Sequence, residues 1–124
     1  MGRMGNKDAE RSFYEKTVEV QPNHADAFCN LGVIYGEAGD FDREVECYYK
    51  TLSIEPKHED ALNNAKAALY YEGVKLFHTG NLDGSLQCFK RILEEIAPGE
   101  PSVEAAYHTV LKAMDSASSQ PKDS

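Results

Sequence analysis

Apolar residues recur along this chain with the spacing of one face of an α-helix, and no stretch alternates apolar and polar residues as a strand would. One periodic stretch illustrates the pattern, since Phe28, Leu31 and Tyr35 fall on one side of a helix. Prolines and Gly-Asp or Gly-Asn pairs separate the periodic stretches. The pattern predicts an all-α fold of about six helices. The predicted helices span about residues 8–20, 25–37, 41–54, 59–78, 82–96 and 102–114.

Part of this pattern occurs twice. The segment that starts at Pro22, PNHADAFCNLG, recurs 34 residues later from Pro56 as PKHEDALNNAK. A 34-residue period is typical of arrays whose unit is one helix–turn–helix. Such a unit cannot bury its apolar face alone and has to stack on its neighbours.

Residues 25–58 resemble the tetratricopeptide family at the spacing of that family. The matching residues are Phe28, Leu31, Gly32, Tyr35, Gly39, Phe41, Tyr48 and Pro56. The resemblance implies a superhelix, or α-solenoid, of antiparallel helix pairs. Glu44 departs from the family pattern, which has a small residue there. A buried carboxylate is costly unless it is paired or reaches solvent.

The second repeat fits the first only if seven residues are inserted within the fourth predicted helix. Asn63-Asn64 aligns with Cys29-Asn30 at a spacing of 34 residues, whereas Glu72-Gly73 aligns with Leu31-Gly32 at 41. Seven residues are nearly two helical turns, so the apolar face survives the insertion. The predicted organisation is an N-terminal half-repeat (1–22), a repeat (23–58), a repeat with a lengthened first helix (59–98), a C-terminal capping helix (99–115) and a disordered tail (116–124).

A narrower resemblance covers roughly residues 5–96. This part of the chain is similar to the superhelical arm of the SPINDLY family, which are plant-type protein O-fucosyltransferases related to the O-linked N-acetylglucosamine transferases. The resemblance implies a substrate-recruiting arm without the catalytic domain, because 124 residues cannot hold both the array and a sugar-nucleotide domain. The residues that carry it are 27–35, Gly39-Asp40, Glu46-Cys47-Tyr48, and Asn63-Asn64 through Gly80-Asn81.

In arrays of this kind the first helix of each repeat lines the concave groove, and related transferases carry a ladder of asparagines there. Asn30 and Asn64 are repeat equivalents. A primary amide offers two donors and an acceptor, so each could pair with both backbone groups of an extended peptide. The alternative, that both are solvated surface residues, stays open. The expected peptide-binding residues are Asn30, Asn64, Asp26, Val33, Glu37 and Asp60.

These features predict a non-enzymatic protein–protein interaction module that binds a protein or peptide client and is a monomer. One alternative is a fragment of a SPINDLY-like transferase arm that is active only with its missing domain. Another is a structural oligomer built by head-to-tail stacking, which the polar residues after Met114 disfavour. A carboxylate clamp for chaperone tails is disfavoured, because the basic groups on the long helix are limited to Lys66 and Lys75.

Composition narrows the partners further. The net charge of -8 argues against nucleic acid and anionic membrane, and no apolar run approaches the ~20 residues of a membrane span. Three cysteines without a signal-like start predict reduced thiols in the cytoplasm or nucleus. No cofactor or metal is expected, because His24 and His58 follow repeat prolines as turn residues and no phosphate-binding glycine pattern occurs.

Overall fold

The structure is a computed structural model that describes residues 2–119, with side chains described for residues 7–117. The described part is 84% helical, with six α-helices and no strand, which confirms the all-α prediction. None of these helices is both long enough and apolar enough to cross a membrane. The helices are α1 (Gly2–Val20), α2 (Ala25–Glu37), α3 (Phe41–Ile54), α4 (Glu59–His78), α5 (Leu82–Arg91, continued by a π-helical turn over Ile92–Ile96) and α6 (Pro101–Ser119).

The sequence predicted the bounds of the inner helices well and those of the outer helices poorly. The bounds of α2, α3 and α4 agree with the pattern, whereas α1 starts at Gly2 instead of residue 8. The expected disordered tail is wrong for residues 116–119, because α6 runs to Ser119. Residues 120–124 lie outside the described part. Once a helix is nucleated each further residue adds one hydrogen bond, so it can extend beyond its apolar pattern.

The helix pairs α2–α3 and α4–α5 are joined by turns of the same kind. Gly39 and Gly80 have φ of 81° and 88°, a left-handed conformation that glycine adopts without strain. The next residue then caps the following helix in both pairs. Asp40 accepts a hydrogen bond from a backbone N–H of α3, and Asn81 accepts one from a backbone N–H of α5.

A glycine–aromatic contact holds each of these pairs together. A Cβ added at Gly32 of α2 would lie 2.6 Å from Tyr48 Cε1, and one added at Gly73 of α4 would lie 2.7 Å from Phe89 Cε1. Both rings are 2% exposed. Each glycine and each ring lies 41 residues from its counterpart, the spacing that a seven-residue insertion requires. No larger residue fits at either glycine without a shift of the facing helix.

The Glu44 carboxylate is half-buried in a space that Gly36 leaves open. Tyr48 Oη donates a hydrogen bond of 3.0 Å to Glu44 Oε2, and a Cβ added at Gly36 would lie 2.5 Å from that same oxygen. Burial raises the pKa of the Glu44 carboxyl, and the hydrogen bond from Tyr48 partly opposes this shift. In the other pair the equivalent positions hold Phe77 and Ser85, so large and small residues are exchanged.

The chain divides within α4 into two compact units, one ending at Ala68 and the other beginning at Leu69. In the first unit α2 packs on both α1 and α3, and in the second α5 packs on α6. Ser85 Oγ also donates to the Gly73 carbonyl, tying α5 to α4. Each unit has its own buried core. The largest apolar contributors are Leu31, Ile34, Val45 and Tyr48 in the first, and Leu69, Phe89, Ile92, Val103 and Val110 in the second.

Replacing Gly32 with Ala should destabilise the protein. Alanine is favoured over glycine in an ordinary helix interior by roughly 1 kcal/mol, but here the added methyl group would overlap the Tyr48 ring. We expect the free energy of unfolding to fall by about 1–3 kcal/mol, as for other overpacked cores. Urea unfolding followed by circular dichroism measures it. Gly73→Ala should act in the same direction, and a gain in stability from either change would contradict the proposed contact.

Replacing Glu44 with Gln should change how stability depends on pH. The raised pKa means that the folded chain binds this proton more tightly than the unfolded chain does, so the contribution of Glu44 to stability grows as pH falls. Gln keeps an acceptor for Tyr48 and stays neutral. The stability of the variant minus that of the wild type should therefore decrease from neutral pH down to the ordinary glutamate pKa of 4.5. Urea unfolding of both proteins across this range tests it, and a constant difference would contradict the argument.

Candidate peptide-binding surface

The predicted site residues of α2 lie on one stripe of that helix. Asp26, Asn30, Val33 and Glu37 follow one another at intervals of four, three and four residues, which places side chains on one helical face. All four are exposed, whereas Leu31 beside them is buried. We call these four residues the α2 stripe. The structure brings them together, as the sequence predicts.

The two predicted residues of α4 repeat part of this stripe. Asp60 is exposed and Asn64 is half-buried, one turn apart on α4. Asn64 Nδ2 donates to Cys29 Sγ at 3.8 Å. Since Cys29 precedes Asn30 on α2, the asparagine of α4 lies against the helix that carries the stripe. The first helices of both predicted repeats are therefore neighbours at this point.

Most polar side chains of the α2 stripe already contact another helix. Asn30 Nδ2 donates to Tyr14 Oη of α1 at 3.5 Å, and Glu37 forms an ion pair with Lys7. Both partners were missed from the sequence, where nothing in the spacing relates α1 to the stripe. Within the described part of the chain, neither Asn30 nor Asn64 accepts a hydrogen bond at Oδ1. Each amide therefore still offers an acceptor and its second hydrogen.

Histidines cap the first helices. The backbone N–H of Ala27 donates to His24 Nδ1 at 3.2 Å, and that of Ala61 donates to His58 Nδ1 at 3.1 Å. The sequence predicted turn residues here but not the capping role, because serine, threonine, aspartate and asparagine are the usual N-caps. A ring nitrogen that accepts from the third residue of the helix serves the same purpose.

One of these caps also links two helices. A neutral His58 that accepts at Nδ1 carries its proton on Nε2, and Nε2 donates to Asp26 Oδ1 at 2.7 Å. Asp26, Glu55 and His58 offer ligand atoms that all lie within 4.8 Å of one another. A metal ion at Nε2 would move the proton to Nδ1 and break the cap from Ala61. The cap therefore opposes metal binding by this cluster.

The thiols are buried and poorly suited to chemistry. Cys29, Cys47 and Cys88 are all buried. Burial raises the pKa of Cys47 to about 12 and also raises the pKa of the other two thiols. Because the thiolate is the reactive form, these cysteines stay protonated at neutral pH and pack as small apolar residues.

Residues 13–46 match a family model described as Tetratricopeptide repeat. The match supports a tetratricopeptide repeat within this part of the chain. The match begins in the second half of α1, covers all of α2 and ends within α3. The α2 stripe therefore lies on a helix at the centre of the tetratricopeptide match. The comparison with curated proteins found no match.

Changing His58 separates the cap from the link to Asp26. His58→Ala removes both, and we expect it to lower the free energy of unfolding by about 1 kcal/mol, the usual cost of a lost N-cap. His58→Asn restores an N-cap acceptor without the long ring, so it should recover most of the loss. Urea unfolding of both variants measures the difference. If Asn were no better than Ala, the contact with Asp26 would be the more important one.

Proposed function

We propose that this chain is a non-enzymatic interaction module that binds an extended client peptide along the α2 stripe and the neighbouring Asp60 and Asn64. The observation that carries the proposal is the state of Asn30. It is exposed at the centre of the stripe, on the helix at the centre of the tetratricopeptide match, and its Oδ1 has no donor within the described residues. An open amide on an exposed helix of a repeat suits recognition of a peptide backbone.

The client backbone would pair with the two asparagines. A peptide N–H can donate to an Oδ1, and the remaining amide hydrogen can reach a peptide carbonyl. Such pairing adds affinity with little preference for client sequence. Val33, 37% exposed, lies one turn beyond Asn30 and offers an apolar contact.

The charge of the surface favours basic clients. Asp26, Glu37 and Asp60 are exposed carboxylates on or beside the stripe, and Lys7 neutralises one of them in an exposed ion pair of modest strength. The whole chain has a net charge of -8. Attraction between opposite charges speeds the association of a protein with its ligand, and added salt screens this attraction. A peptide rich in lysine or arginine should therefore bind best at low ionic strength.

The resemblance to the SPINDLY arm supports a more specific alternative, in which the chain is part of the recruiting arm of a protein O-glycosyltransferase. The same asparagines would hold the client in both cases. We further propose that the chain acts as a monomer in the cytoplasm or nucleus, in line with its cysteine content and its acidic surface.

The double variant Asn30→Ala, Asn64→Ala should lose client binding and keep its fold. The amides make only long contacts to Tyr14 and Cys29, at 3.5 and 3.8 Å, so little stability depends on them. Peptides selected against the wild type from a random display library supply the ligand, and fluorescence anisotropy measures the affinity. We expect at least a tenfold loss, since both amides lose their hydrogen bonds to the peptide backbone, worth about 1 kcal/mol apiece.

Asn23 and Asn63 provide a matched control. Both are exposed asparagines outside the proposed contact, Asn23 in the turn before α2 and Asn63 next to Asn64 but about 100° away from it around α4. Asn23→Ala, Asn63→Ala should bind the selected peptides as the wild type does. Equal affinity of all three proteins, or failure to select any peptide, would contradict the proposed function.

A further inference from the structure

Helix α1 has the local structure of α3, one repeat earlier. Tyr14 and Thr17 precede Tyr48 and Thr51 by 34 residues. Thr17 Oγ1 donates to the Phe13 carbonyl at 2.8 Å, and Thr51 Oγ1 donates in the same way to the carbonyl four residues before it at 2.9 Å. α1 therefore corresponds to the second helix of a repeat.

Equivalent positions of α1, α3 and α5 differ sharply in their exposure to solvent. Cys47 of α3 is 8% exposed and Cys88 of α5 is 7% exposed, whereas Phe13 of α1 is 63% exposed. Val20, one repeat before the half-buried Ile54, is 76% exposed. A phenylalanine and a valine on one side of a helix are thus open to solvent where their counterparts are covered. We call the side formed by Phe13, Thr17 and Val20 the α1 face.

In α3 and α5, the positions equivalent to Phe13 are covered by a neighbouring helix. A Cβ added at Gly32 of α2 would lie 3.1 Å from Cys47 Cβ, and one added at Gly73 of α4 would lie 3.2 Å from Cys88 Cβ. In each pair a helix with a glycine at the contact lies against this position. The internal repeat therefore specifies the kind of element that fits the α1 face.

We propose that the α1 face binds an amphipathic α-helix of another protein, antiparallel to α1, with a glycine or alanine at the contact and apolar residues on either side. Exposed Glu10 lies one turn before Phe13 on the same side. The C-terminal end of an antiparallel partner would lie near Glu10, so the partner helix should carry lysine or arginine in its last turn, where a cation is also favoured by the helix dipole. This surface is distinct from the α2 stripe, so the inference stands independently of the proposed peptide site.

The chain itself supplies a probe for this face. A labelled peptide of residues 22–39 with Glu37→Lys contains the helix of α2 and Gly32, and the substitution supplies the cation that the last turn of α2 lacks. An i,i+4 hydrocarbon staple at positions 26 and 30, both exposed in α2, keeps the peptide helical without touching its apolar side. Fluorescence anisotropy with the full chain measures its affinity. The same peptide with Gly32→Leu is the control for close approach, and it should bind at least tenfold more weakly.

The chain variant Phe13→Ser, Val20→Ser tests whether the peptide binds at the α1 face. Both side chains are exposed, so the variant should unfold at the wild-type temperature while binding the peptide at least tenfold more weakly. Tyr71→Ser, which removes an aromatic residue that is 71% exposed on α4, should bind as the wild type does. Equal binding by Phe13→Ser, Val20→Ser would mean that the peptide displaces α2 instead, and would overturn the proposal, as would no binding to the wild type.

Self-association is the remaining outcome. Analytical ultracentrifugation of the wild type and of Phe13→Ser, Val20→Ser shows whether the α1 face is covered by a second copy. A wild-type dimer that the variant loses would overturn the assignment to a partner helix. A monomeric wild type that binds the stapled peptide through Phe13 and Val20 would support it.

Discussion

The contact between a glycine and an aromatic ring determines how the helices of this chain pair. Gly32 against Tyr48 and Gly73 against Phe89 bring the helix backbones close enough that no Cβ fits between them. Protein interiors are close-packed, so a contact of this kind fixes the facing helices in one arrangement. It recurs at the same spacing despite the longer α4, which explains why seven added residues leave the pairing intact.

That pairing decides which residues face solvent. With Gly32 turned towards Tyr48, the opposite side of α2 presents Asn30 and its neighbours to solvent. The asparagine of α4 lies against α2 through Cys29. The exposed surface that we propose as the client site thus follows from the buried contact, while its charge and its open amide oxygens come from residues that have no part in the core. Changes at the stripe should therefore affect binding and stability separately.

The sequence predicted what depends on short-range pattern. The repeat, the glycine turns and the α2 stripe follow from spacing, because periodicity, turn geometry and helix faces are local properties. The sequence did not predict the capping by His58 or the hydrogen bond from Asn30 to Tyr14. Both depend on side-chain orientation, and the second also depends on how α1 packs against α2. The exposure of Phe13 on α1 could not be predicted either, since it depends on which helices pack against that side.

Peptide binding at the α2 stripe can be tested by an NMR titration that follows the side-chain amides of the ¹⁵N-labelled protein as a client peptide is added. If the two asparagines hold the peptide, the side-chain NH₂ signals of Asn30 and Asn64 should move together and saturate at one peptide per chain, while those of Asn23 and Asn63 stay in place. Shifts confined to residues outside α2 and the first turns of α4, with Asn30 and Asn64 unmoved, would contradict it.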